Sequence, residues 1–435
     1  MTGRWSAGRE RPRVAVVFHS RRGTMRRLAV AAAEGARARG AQVRLLRVAD
    51  TAEDPLEPGM TASFALEEEV ATPDDLLWAD GLVLATPTYF GNVSAPFKCF
   101  LDSTARLWAQ GLLADRVVTA MTSAECTYGG REATLLSLYQ SVYHWGSWVL
   151  GADLGDTEHT GTSGNPYGLS AAYRRGSEVG PPEIRAAWAQ GRRLAGFAAR
   201  GPRCHPPAVP DTTRRPTRVT VVHHADGGAV RTLAQECAAG ARESGAEVRL
   251  RRVRDAGPGN GPAPGGPWGA PRAQVVTAED LAWADAVVFG AAARLGTLAA
   301  PLLDFAQRLE PVVGGGPLAG KAASAFAVTP RPHTGSESAL LAFHQVLFHC
   351  GAVVAPPGYT DSAVFAAGGN PYGCAYALSD GAVPSPQVLA AVRHQGGRAA
   401  VVGHWLRRQP ERQAGRSPYG AAGAHFEGHR GRAVM

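Results

Sequence analysis

Trp78-Ala79-Asp80 returns as Trp283-Ala284-Asp285, and 283 − 78 = 205. Arg13-Val14 returns as Arg218-Val219, and Gly164-Asn165-Pro166-Tyr167-Gly168 as Gly369-Asn370-Pro371-Tyr372-Gly373, all at the same offset. One offset held through loops as well as periodic segments means an internal duplication with almost no net insertion. Whatever this chain of 435 residues folds into, it folds into twice. The copies also serve as controls for each other. Positions the fold needs should survive in both, and positions a ligand needs can survive in one.

Each copy repeats one grammar. In the first, Val14–Phe18 is a β-branched run that reads as a buried strand, followed by a polar turn from His19 to Thr24. An Ala/Arg helix pattern covers Met25–Arg39 and is closed by Gly40, and Val43–Leu46 reads as a second strand. Asp74–Trp78 is a short helix, Gly81–Ala85 a third strand, Pro96–Leu107 a helix, Val117–Met121 a strand and Glu132–Tyr143 a long helix. Strands alternating with helices predict the α/β class, a doubly wound parallel sheet with helices on both faces. The repeat predicts domains at 13–200 and 218–407. Residues 201–217, with five prolines, read as a semi-rigid linker, and the Arg/Gly-rich stretches 1–12 and 408–435 as disordered tails.

Composition removes several function classes. No apolar run reaches the roughly 18–20 residues of a membrane span, and the polar, Arg-bearing start is not a secretory signal. The six cysteines lack CxxC spacing or paired histidines, which predicts a reducing cytoplasm and no metal site. The net charge of +8 comes almost wholly from arginine, since only Lys98 and Lys321 are lysines. Aromatic residues are not interleaved with those arginines, so no nucleic-acid partner is expected.

In doubly wound sheets the ligand lies beyond the carboxyl ends of the strands, so three loops should meet. The first is Ser20-Arg21-Arg22-Gly23-Thr24-Met25. It offers hydroxyls, a glycine and helix-start amides, which together suit a phosphate; an ordinary helix cap is the plain alternative. The second, Pro87-Thr88-Tyr89-Phe90-Gly91-Asn92, sets aromatics and backbone amides where a planar ring can lie, or packs them on the next helix. The third is Thr122-Ser123-Ala124-Glu125-Cys126-Thr127-Tyr128-Gly129-Gly130, small and hydroxyl-rich before a helix.

These three loops in this order resemble the flavodoxin-like NAD(P)H:quinone oxidoreductases of the WrbA type. Pro87–Asn92 is the most specific match, and Leu107-Trp108-Ala109-Gln110-Gly111, Pro166-Tyr167-Gly168 and Ala71-Thr72-Pro73 agree with it. The resemblance implies two tandem flavodoxin-like domains with five-stranded parallel sheets. It implies FMN, with its phosphate on Ser20–Met25 and its ring on 87–92 and 122–130, NAD(P)H as hydride donor and a small quinone-like acceptor. Tyr89, Tyr128 and Trp108 would position rings, Trp108 from a neighbouring subunit, and no side chain is singled out as an acid or base. Two departures stand out. His144-Trp145-Gly146 replaces the family's His-His-Gly, putting Trp145 where the flavin-contacting histidine belongs and leaving His144 as a polar helix end. Arg22 replaces an aromatic residue.

The second copy keeps the scaffold and loses the site. Val219–Val222, Ala286–Phe289 and Ala325–Val328 persist as strands. The first loop becomes Ala225-Asp226-Gly227-Gly228-Ala229-Val230, with Asp226 repelling a phosphate. The second becomes Ala292-Ala293-Arg294-Leu295-Gly296-Thr297, and the third gains Pro330 and Pro332, which lack amide donors. One flavin site per chain is therefore expected. The second copy would act as wall and interface of an intramolecular pseudo-dimer, with further homodimerisation open. The rival readings are an FMN reductase of the same fold, a flavin-binding electron-transfer or regulatory protein without its own turnover, and a scaffold that binds no flavin.

Overall fold

The computed structural model describes residues 11–51, 68–162, 164–173, 179–202, 215–224, 228–254, 273–309, 316–380 and 383–407. Nearly all of both expected tails, most of the linker, and Asp226 in the second copy's first loop lie outside the described residues.

In the first copy β1 (Arg13–Phe18) runs parallel to β2 (Gln42–Arg47) on one side and to β4 (Gly81–Pro87) on the other. β4 then pairs with β5 (Val117–Ala124), and β3 (Glu69–Val70) extends the outer edge of β2. The fifth strand position is filled in two pieces. β6 (Trp148–Leu150) pairs with the start of β5, Val117 opposite Trp148, and β7 (Leu169–Ala172) pairs with its end, Met121 opposite Leu169. Between the pieces, residues 151–162 and 164–168 lie outside the sheet and carry α6 (Thr157–Thr160). This is the expected doubly wound parallel sheet, with its fifth strand interrupted.

The helices cover both faces because the strands are buried on both. α1 (Thr24–Ala38) and α7 (Pro181–Ala198) lie on one side; α2 (Pro73–Trp78), α3 (Ala95–Ser103), α4 (Ala105–Ala109) and α5 (Arg131–His144) lie on the other. The sequence reads α3 and α4 as one helix. They part at Thr104, whose hydroxyl donates to the Leu101 carbonyl at 2.6 Å in competition with the helical ladder. α1 and α7 pack at backbone contact, for a Cβ on Gly35 would stand 1.9 Å from the Trp188 carbonyl oxygen. Gly240, 205 residues on, meets the Arg393 carbonyl in the same way at 2.0 Å. These glycines belong to the scaffold, so both copies keep them.

The second copy repeats the order with β8 (Arg218–His224), α8 (Gly228–Glu243), β9 (Glu247–Arg252), β10 (Gln274–Val275), α9 (Ala278–Trp283) and β11 (Ala286–Arg294). It continues with β12 (Thr297–Leu298), α10 (Ala300–Gln307), β13 (Ala322–Thr329), α11 (Ser336–His349), β14 (Val353–Val354), α12 (Ser362–Ala366), β15 (Ala375–Ala377) and α13 (Pro386–Leu406). β6 and β14 pair antiparallel, joining both copies in one sheet. Val149 sits opposite Val354, and 354 − 149 = 205, so the local two-fold relation passes through that pair.

The flanking rings obey the same relation. Tyr143 meets Tyr372 at 6.2 Å, and its counterpart Phe348 meets Tyr167 at 5.8 Å. His144 Nε2 lies 3.1 Å from the Tyr372 hydroxyl, and His349 Nε2 lies 3.4 Å from that of Tyr167. Buried Arg398 pins the seam through Asp115 at 2.7 Å and the Gly146 and Pro356 carbonyls.

One substitution between the copies has a measurable consequence. His223 stands where the first copy has the core residue Phe18, buried with no hydrogen-bond partner for either ring nitrogen. Burial first, and then Arg231, His224 and Arg252, push the imidazole down to about 4 from 6.5. The folded state then binds fewer protons than the unfolded chain between those values. Stability is therefore full above pH 6.5 and drains as the pH falls toward 4. His223→Phe is expected to flatten the fall of melting temperature across that window; a slope identical to the parent's would contradict this placement.

Candidate functional site

The first, second and third loops meet at the carboxyl ends of β1, β4 and β5 around a cleft of about 280 Å³. Ser20, Arg21, Arg22, Thr24 and Met25 line it from the first loop; Pro87, Thr88 and Tyr89 from the second; Ser123, Ala124, Glu125, Cys126 and Gly129 from the third. Tyr173, just past β7, completes the wall.

The chemistry of this wall suits a phosphorylated, hydroxyl-bearing molecule. α1 starts at the cleft with Gly23 as its cap, at φ +81, and no side chain caps its first amides. A helix start without such a cap is a site of positive potential with free N–H donors. The hydroxyls of Ser20 and Ser123 are buried and have no hydrogen-bond partner among the described residues. Buried polar atoms are seldom left orphaned, so two of them on one cleft mark where a ligand's oxygens belong. The residues present fit FMN: donors for a phosphate at one end, Tyr89 and backbone for a ring at the other.

A chain of hydroxyls holds the second loop against the third. Thr88 and Thr122 lie 2.8 Å apart through their Oγ1 atoms, Thr122 donates to the Thr86 carbonyl at 2.7 Å, and the Thr88 amide donates to the Ser123 carbonyl at 2.9 Å. The loop turns tightly. Tyr89 and Asn92 exchange two backbone hydrogen bonds of 2.9 Å, with Phe90 at φ +51 and Gly91 at φ +75 between them. Across the mouth, Arg22 pairs with Glu125 at 2.7 Å, and the Arg21 guanidinium lies 6.0 Å from the centre of the Tyr89 ring. The Arg22 pair is exposed and contributes little stability; it joins the first loop to the third.

Several expected site residues sit elsewhere. Phe90 and Tyr128 are 101% and 96% exposed, so their side chains point to solvent rather than into the cleft. Gly23, Gly91, Asn92, Thr122 and Thr127 are not on its wall. Trp108 belongs to the seam and Trp145 to the buried core. The Trp108 ring NH donates to the His144 carbonyl at 3.0 Å and its ring meets Tyr359 of the second copy at 5.6 Å, while Trp145 is buried at the end of α5. Sequence reasoning missed Tyr173, and it missed Thr86 and Ser94 beneath the second loop. The offset held a signal for the last two, because both become alanine in the second copy.

A family model described as NADPH-dependent FMN reductase matches residues 12–158 and again 223–364. The chain belongs to this family. Its fold and its NAD(P)H-dependent flavin chemistry are therefore those the loops implied. An NAD(P)H dehydrogenase (quinone) of Deinococcus radiodurans is 40% identical over 163 residues, covering 36% of this chain and 82% of that protein. One from Caulobacter vibrioides is 35% identical over 194 residues, covering 42% and 95%. The crystal structure of a WrbA-like flavodoxin protein from Agrobacterium tumefaciens is 25% identical, covering 43% of this chain and 97% of that one at a TM-score of 0.31. Each of these two dehydrogenases thus matches a stretch of about the length of a single copy.

The second unit shows what was lost. Ala291, Ala293, Ala299, Ala327 and Val328 stand where the first has Thr86, Thr88, Ser94, Thr122 and Ser123. The turn survives without them, with Leu295 at φ +52 and Gly296 at φ +72. Gly335 still approaches Gly296 as Gly130 approaches Gly91: a Cβ would fall 3.0 Å and 2.9 Å from the facing Cα. Gly130 itself is at φ +83. Gly130→Ala combines a left-handed backbone with that clash and is expected to cost about 1–3 kcal/mol in urea denaturation; parental stability would show that the loops do not need this approach.

Proposed function

We propose that the first copy, residues 13–200, holds FMN in the three-loop cleft and passes two electrons from NAD(P)H to a quinone-like acceptor. The observation that carries this is the pair of orphaned serine hydroxyls beside an uncapped helix start, in a cleft bounded by Tyr89. The relatives' names, NAD(P)H dehydrogenase (quinone), support the acceptor class.

FMN held there would supply the two-electron redox chemistry between NAD(P)H and the acceptor. The chain's own groups bind and orient. Ser20, Thr24 and the first amides of α1 hold the phosphate, with Arg21 and Arg22 adding positive charge. Ser123, with the backbone of Ala124, Glu125, Cys126 and Gly129, would meet the polyol and ring edge, and Tyr89 and Tyr173 would flank the ring system. Pro87 and Thr88 fix the loop on which Tyr89 stands. The second copy, residues 218–407, serves as wall and interface of an intramolecular pseudo-dimer, supported by the two-fold relation of the seam. A cytoplasmic setting suits the exposed, unbridged Cys99 and Cys126.

Anaerobic addition of NADPH or NADH to the FMN-loaded chain is expected to bleach the flavin absorbance within one mixing, and benzoquinone to restore it. Flavin that stays oxidised with both nucleotides would refute the enzyme and favour a carrier that depends on a separate reductase.

A further inference from the structure

We infer that His19 is a positioning residue for flavin binding, locking the phosphate turn to the base of the ring loop. The inference rests on FMN occupying the first-copy cleft and goes beyond it, because His19 is not on the cleft wall.

His19 follows the last residue of β1 and precedes the phosphate turn. Its amide donates to the Ala85 carbonyl at 2.9 Å, in the neighbouring strand β4. Its side chain is buried and bridges two elements, with Nε2 3.0 Å from Asp50 Oδ1 and Nδ1 2.8 Å from Ser94 Oγ. An ionised carboxylate only accepts, so Nε2 carries the proton and Nδ1 accepts from the Ser94 hydroxyl. Ser94 in turn lies 3.2 Å from Thr86 Oγ1, and its amide donates to that same atom at 3.1 Å. Thr86 and Ser94 therefore close the base of the loop 87–93, and His19 ties that base to the start of Ser20–Met25. Burial lowers the imidazole's pKa from its ordinary value; of the charged groups facing it, Asp50 opposes that shift and Arg21 adds to it.

The second copy shows that the scaffold does not need this lock. His224 is retained, but Thr86 and Ser94 are replaced by Ala291 and Ala299. There the base of the hairpin is closed by backbone alone, the Ala299 amide donating to the Ala292 carbonyl at 2.9 Å, and the turn keeps its shape. Asp50's counterpart, residue 255, lies outside the described residues. Hydroxyl partners thus persist where the ring loop keeps its aromatic and hydroxyl residues and vanish where it does not. A requirement of folding would leave them in both.

The test is FMN titration of the flavin-stripped, full-length chain by fluorescence quenching, with melting temperature followed in parallel. His19→Leu is expected to weaken FMN binding by about tenfold or more, which is about 1.4 kcal/mol. His19→Gln, whose amide can still donate to Asp50 and accept from Ser94, should restore affinity to within about threefold of the parent. Ser94→Ala should weaken binding alone but add little to His19→Leu, since both break one link. Parental affinity in His19→Leu overturns the lock, as does a His19→Gln variant no better than His19→Leu. If His19→Leu does not fold, Ser94→Ala decides by the same criterion. A parent chain that binds no FMN overturns the proposed function as well; a parent that binds while the variants are unaffected overturns the lock alone.

Discussion

The antiparallel pairing of β6 with β14 is the contact on which the arrangement of this molecule depends. A parallel sheet ending on a three-residue strand leaves a row of unpaired backbone groups, and an exposed edge invites unwanted pairing. Here the two fifth-position strands cover one another. Because the contact relates Val149 to Val354, ring contacts beside it come in two versions, Tyr143 with Tyr372 and Phe348 with Tyr167. Duplication in the gene thus becomes two-fold packing in the fold. Breaking it would orphan the charge of Asp115 and the guanidinium of Arg398, both partly or wholly out of water, and an unpaired buried charge is costly.

With the scaffold fixed in this way, the copies were free to differ where strands end. They differ in one direction. Hydroxyl side chains at the carboxyl ends of β4 and β5 become methyl groups or valine in β11 and β13, while the positive-φ turn and the touching glycines remain. Alanine satisfies the packing but offers nothing to a polar ligand. Among the described residues, the second copy therefore keeps what a sheet and its hairpins require and lacks these side-chain hydroxyls. It also tolerates an imidazole, His223, in a core position held by Phe18 in the first copy.

Much of this was legible in the sequence. The buried strands announce themselves by unbroken β-branched runs, and the three loops by their place after those runs. What was not legible has physical reasons. The fifth strand is split into β6 and β7, three and four residues long, too short for a periodic signal. The break at Thr104 is a hydroxyl bonding back to Leu101, which composition does not reveal. Whether an aromatic residue faces a cleft, the solvent or a seam depends on tertiary packing, so Phe90, Tyr128, Trp108 and Trp145 could not be placed by motif. His19 finds its partners 31 and 75 residues away. Only the offset of 205, applied to the hydroxyls, carried a hint of that network.

The central claim is that one copy holds the flavin and the other holds only the fold. Calorimetric titration of FMN into the stripped, full-length chain measures it most directly. The account predicts saturation at one FMN per chain, abolished when the first-copy cleft is filled by Ser123→Trp and untouched by Val328→Trp in the second. Two FMN per chain, or binding lost only with the second-copy substitution, would contradict it.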